Sequence, residues 1–154
     1  MKQRIKKIIS WLLVIIWLLI IFNLSNINSK ESNNKSKETI NRVVETTQIK
    51  TKDNFTTEKQ EQLVETLNKP LRKVMHLIMY FILAILLIST LTLSNIKHKY
   101  LITIIICIIY ALTDEYHQTF ISGRTGQLTD VIIDTLGSLL YIIIHKIISK
   151  QKVN

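Results

Sequence analysis

Four continuous apolar segments constrain this chain more than any other feature. The first, Ile8 to Leu24, is 17 residues interrupted only by Ser10 and Asn23. The second, Val74 to Leu93, is 20 residues with His76 near its start, and the fourth, Val131 to Ile148, is 18 residues holding Asp134 and His145. As helices rising ~1.5 Å per residue, these have the reach to cross a ~30 Å hydrocarbon layer. The third differs: Tyr100 to Leu112 is apolar, then Thr113, Asp114 and Glu115 intervene before Phe120 and Ile121. To cross, that helix must carry Asp114 and Glu115 below the membrane surface, a costly placement that points to a function. The expected fold is all-α and integral to the membrane, a four-helix bundle with spans at about 8–24, 74–93, 100–121 and 131–148 in one domain over 1–154.

Charge sets the expected orientation. The chain has 20 Lys+Arg against 11 Asp+Glu, a net +9. Its basic residues collect at the ends of apolar segments and not on an amphipathic face, so membrane orientation explains them better than nucleic acid does. Lys2, Arg4, Lys6 and Lys7 precede the first span, Lys97 and Lys99 fill the Ser94–Lys99 turn, and Lys146, Lys150 and Lys152 follow in the last stretch of the sequence. The short Tyr116–Asp130 connection holds Arg124 alone. The positive-inside rule then makes both termini cytoplasmic. The first span, lacking a small-x-small cleavage pattern, reads as a retained anchor. A single cysteine, Cys107, excludes an internal disulfide and a cysteine-based zinc site.

The remaining segment, 25–73, is expected to be an external loop. Its Ser/Asn/Lys-rich start, Ser25 to Ser36, shows no periodicity and reads as mobile. Ile40, Val43 and Val44 have helical spacing, and Thr57 with Gln60 resembles a capping box opening a surface helix to about Asn68, which Pro70 interrupts.

In an up-down bundle of this orientation, the ionisable groups of the last three spans share one half of the membrane, His145 excepted. Lys73, His76 and Tyr80 lie on one helix face. Thr103, Cys107, Tyr110, Asp114, His117 and Gln118 form a stripe with Glu115 on its flank. Asp130, Asp134, Gly137 and Tyr141 repeat every three to four positions. Three polar stripes converging on one interior predict a water-accessible pocket in the outer leaflet, since charge hidden in lipid must find partners or water.

The run DEYHQTFISGRTGQLTDVIIDTLGSLLY resembles the C-terminal signature of the VanZ-like membrane family: Glu115 and Gln118 as its Glu-x-x-Gln, Arg124 in the following turn, then Asp130, position 134 and Gly137. Lys73, His76 and Tyr80 match an earlier Lys, His, Tyr signature. Asp134 departs from the pattern, which commonly has Asn there, and adds a charge. The resemblance implies a bacterial cell-membrane protein of the envelope. The family takes its name from a protein associated with teicoplanin resistance, and relatives have been suggested to act on lipid head groups at the outer leaflet.

Chemistry is expected from these same residues. Arg124, in the Gly123–Gly126 turn, suits a phosphate through its bidentate fork, or else neutralises Asp130. His76 is placed for acid–base work by its ordinary pKa near ~6.5, or is a hydrogen-bonded bundle residue. Glu115 is the leading acid, with Gln118 orienting it or a substrate oxygen and Asp130 and Asp134 positioning the rest; Lys73, Tyr80 and Arg124 are the candidate substrate contacts. No cofactor is implied, although Asp130 and Asp134 on one turn, with Asp114 or Glu115, offer oxygens of the kind Mg²⁺ or Mn²⁺ prefers. The expected partner is a membrane lipid or lipid-linked cell-wall precursor. Two functions fit: an enzyme processing a phosphate-containing head group, or a non-catalytic binder that modulates glycopeptide access.

Overall fold

The computed structural model describes residues 1–27, 29–51 and 57–151. Among these every regular element is helical: α1 (Lys2–Ser25), α2 (Ser29–Thr51), α3 (Thr57–Leu93), α4 (Lys99–Gln118) and α5 (Leu128–Gln151). Four of them, α1, α3, α4 and α5, are long and apolar enough to cross a membrane.

Their packing is that of a bundle made for lipid. The core runs through Tyr80, Leu83 and Leu87 of α3, Cys107 and Ala111 of α4, and Val131 of α5, with Val14 and Ile21 of α1 closing one side. The outer faces stay apolar: Ile8, Leu12, Ile15, Ile16 and Leu19 of α1 and Ile132, Leu136, Ile143 and Ile147 of α5 are exposed. An apolar patch of that extent is stable only against hydrocarbon or a partner.

Because lipid tails are as apolar as leucine, helix association in a membrane depends on close packing and interhelical hydrogen bonds. Both occur here. Trp17 Nε1 donates to the Met79 carbonyl at 3.0 Å, Tyr110 Oη to Leu18 O at 2.6 Å, and Thr90 Oγ1 to Ser10 O at 3.2 Å, tying α1 to α3 and α4. At Gly137 the backbones of α5 and α3 approach so closely that an added Cβ would meet the Leu77 carbonyl.

The segment between the first two spans departs from the expected loop. The Ser/Asn/Lys-rich stretch is helical from Ser29, within α2, and the helix expected to stop at Pro70 runs on to Leu93 with Pro70 inside it. An interior proline costs a helix about 3 kcal/mol. Tertiary contacts on both sides of it offset that cost. Val64 and Leu71, flanking Pro70, pack with Ile40 and Val44 of α2, Asn68 donates to Asn33, and Lys37 pairs with Glu65. Glu31–Lys35 and Glu38–Arg42 pairs at 2.8 and 2.6 Å support α2 along its exposed face. The side chains of the capping-box pair Thr57 and Gln60 lie outside what is described. At 37 residues α3 is about 56 Å long, so its first half overshoots a ~30 Å core and joins α2 in a helical hairpin above the spans.

Candidate functional site

Where the hairpin meets the bundle, a cavity of about 260 Å³ opens. Its polar lining comes from every part of the chain: Ser25 at the end of α1, Ser32, Lys35, Ser36 and Thr39 of α2, Arg72, His76 and Tyr80 of α3, Asp114 of α4 and Arg124 of the α4–α5 turn. Its apolar wall includes Ile21, Leu24, Met75 and Met79. Of the three polar stripes, that of α3 brings His76 and Tyr80 to the lining and that of α4 brings Asp114, whereas the α5 stripe is not on it.

His76 is on the lining, and Asp134, which is not, backs it from α5. His76 Nδ1 lies 3.3 Å from Asp134 Oδ1, an ion pair whenever the imidazole is protonated. Asp134 is 0% exposed, and neither of its oxygens has a hydrogen-bond partner among the described residues. Among the described residues a carboxylate so enclosed has the imidazole as its one close cationic contact, which fixes the ring and leaves Nε2 as the nitrogen not committed to Asp134. Tyr80, 1% exposed, has an unpartnered hydroxyl on the same lining.

The adjacent acids divide. Asp114 lines the cavity, its Oδ2 accepting from Gln118 Nε2 at 3.1 Å while Oδ1 has no partner. Glu115 is buried too, but its Oε2 accepts the Gln127 backbone N–H at 2.7 Å. Glu115 therefore clamps the chain just ahead of α5, and Gly126 presses so close that a Cβ would stand 2.6 Å from the Glu115 carbonyl oxygen. Gln118, expected to orient Glu115 or a substrate oxygen, donates to Asp114 and not to Glu115.

Arg124 is half-buried on the lining, with Nε unpartnered. No ion pair joins it to Asp130 among the described residues, so the neutralising role weighed for it has no contact behind it. Burial, reinforced by the nearby Arg72, pushes the Arg124 guanidinium below its ordinary range, while Asp114, Glu115 and Asp130 pull it back; an arginine remains charged at neutral pH throughout. Lys73 is exposed, and its neighbour Arg72 is the basic side chain of α3 on the lining. Asp130, half-buried in the first turn of α5, acts on His76 through its charge and is not on the lining. No group of three or more His, Cys, Asp or Glu side chains able to hold a metal occurs among the described residues.

Arg72 and the α2 residues were missed by reading the sequence. Arg72 stands one position from a basic residue in the signature, and α2 carried too little apolar periodicity to be placed. The only signal was Ile40 with Val44, which fixes the buried side of α2 and hence which side is left for the cavity.

No curated protein and no solved structure matches the chain. The VanZ/LLP1 family model matches residues 10–149, taking in all four apolar helices, the hairpin, and every lining residue named above. A match over nearly the whole chain leaves one assignment: this is a membrane protein that belongs to the VanZ/LLP1 family.

Proposed function

We propose that the protein is a cell-envelope membrane enzyme that acts on a phosphate-containing lipid head group or lipid-linked precursor at the outer leaflet. The observation that carries this reading is a single cavity joining two guanidiniums, Arg72 and Arg124, and the His76–Asp134 pair to an apolar wall of Ile21, Leu24, Met75 and Met79. Guanidiniums suit phosphate oxygens, and the wall suits the first methylenes of an acyl or prenyl chain. In this reading His76 Nε2 takes the proton of an attacking water or hydroxyl, and Asp134 stabilises the imidazolium that results. Arg72 and Arg124 offset charge gathering on the phosphoryl oxygens, the Tyr80 hydroxyl donates a hydrogen bond to the leaving oxygen, and the proton taken up by His76 passes to that oxygen as its bond to phosphorus breaks. With both termini cytoplasmic, the hairpin and the cavity lie on the outer side.

A second reading rests on a specific observation: Asp114 and Glu115 are both held in internal hydrogen bonds, as a rigid receptor requires. The protein would then bind a lipid-linked precursor without changing it and alter glycopeptide access, teicoplanin included.

Reconstitution decides between them. Wild-type protein in liposomes of labelled phospholipid should release the labelled head group, and His76→Ala should slow release by about 10²-fold or more, the usual contribution of a positioned acid–base group. Stable lipid binding without release would favour the receptor. No binding of any phosphate-bearing lipid, with Arg124→Gln indistinguishable from wild type, would sink both.

A further inference from the structure

The outer wall of the cavity is α2, and its chemistry narrows what the site can hold. Ser32, Lys35, Ser36 and Thr39 line the cavity at spacings of three, one and three, which keeps them on one face of that helix. Two of the hydroxyls have spent their protons: Ser36 Oγ donates to Ser32 O at 3.1 Å and Thr39 Oγ1 to Lys35 O at 2.9 Å. Each oxygen keeps its lone pairs, so toward a ligand these side chains are acceptors and call for a donor. The cations nearby are Lys35, which holds Glu31 at 2.8 Å, and Arg72.

Head-group chemistry can be sorted on this. A trimethylammonium carries no N–H or O–H to offer, and among the described residues Tyr80 is the one Phe, Tyr or Trp on the lining, so no aromatic cage receives it. A primary ammonium has donors and could reach Asp114, but along the α2 face it meets Arg72 and a Lys35 already held by Glu31, and among the described residues α2 brings no carboxylate to the lining to receive it. A hydroxyl supplies the donor without the charge. Resting on the phosphate-lipid reading above, we infer that the cavity selects a polyol phosphate, a glycerol or sugar hydroxyl system joined to a phosphate. The phosphate lies toward Arg72 and Arg124, and the hydroxyls lie along the Ser32–Ser36–Thr39 face of α2.

The test uses the full chain in nanodiscs, with binding read by native mass spectrometry for phosphatidylglycerol, phosphatidylethanolamine and phosphatidylcholine. Phosphatidylglycerol should bind at least about tenfold more tightly than either of the others, the margin expected for one or two added hydrogen bonds. The pair Ser36→Ala and Thr39→Val should shrink that preference several-fold. Their circular dichroism should match wild type, since neither change removes a contact between α2 and α3. Free glycerol 3-phosphate, added as competitor, separates the sources: displacement supports a polyol phosphate met in water, and retention of the lipid supports one carried on a chain. Equal affinity for phosphatidylglycerol and phosphatidylcholine, or a preference untouched by the two substitutions, overturns the polyol assignment and leaves the phosphate-lipid reading standing. Failure to bind all three overturns both.

Discussion

Asp114 and Glu115 are adjacent, both buried, and employed differently. Glu115 reads from sequence as the leading acid because it begins the Glu-x-x-Gln signature, yet its carboxylate accepts the Gln127 N–H, whereas Asp114 is the acid on the cavity. Successive helical residues differ by ~100° in direction, and which of two such neighbours faces a site depends on where the next helix packs, so the pattern alone could not choose. The distinction is measurable. An amide oxygen still accepts a backbone N–H, so Glu115→Gln should retain most of the stability, while Glu115→Ala removes this part-buried hydrogen bond and should cost about 1 kcal/mol. Detergent-solubilised melting curves of the two variants check this. Asp114→Asn should instead melt close to wild type, since an amide oxygen still accepts from Gln118, and should alter lipid binding because Asp114 lines the cavity; binding equal to wild type would mean that Asp114 does not face the ligand.

Among the helices, legibility followed apolar content. The four apolar helices were readable because bilayer thickness fixes their length and lipid requires an apolar surface. The hairpin was not, because α2 gains its stability from a partner: Ile40 and Val44 alone make a narrow stripe, and only Val64 and Leu71 across the gap make it a core. Pro70 misled for the same reason, since local propensity predicts a stop and tertiary packing overrides it. Gly137 was read correctly as a place of close approach, and its partner, the Leu77 backbone of α3, is supplied by the fold. Backbone yields less readily than a side chain tip. Gly137→Ala should therefore destabilise the bundle by about 1–3 kcal/mol or more through overpacking. It should also loosen the His76–Asp134 pair, since Leu77 follows His76 and Gly137 lies one turn from Asp134. A reduced melting temperature together with reduced lipid binding is the expected result, and an unchanged melting temperature would mean α3 and α5 do not touch there.

On the scale of the molecule, the site depends on all five helices meeting at one end, and its meaning depends on which side of the membrane that end faces. The distribution of lysine and arginine argues for the outside: Lys97 lies in the turn before α4 and Lys99 opens the helix, while the turn after it carries Arg124 alone. α4 is 20 residues, about 30 Å, so positions just beyond its two ends lie on opposite membrane faces. Gln127 and Lys97 are both exposed, and the native thiol, Cys107, is 0% exposed in the core and should stay silent to water-borne reagents. Gln127→Cys should thus react with a membrane-impermeant maleimide in intact cells, and Lys97→Cys only after permeabilisation. The reverse order would place the cavity toward the cytoplasm and exclude any outer-leaflet substrate. Labelling of both positions from one side would mean that α4 does not cross, and the shared cavity of His76, Asp114 and Arg124 would lose its place in the membrane altogether.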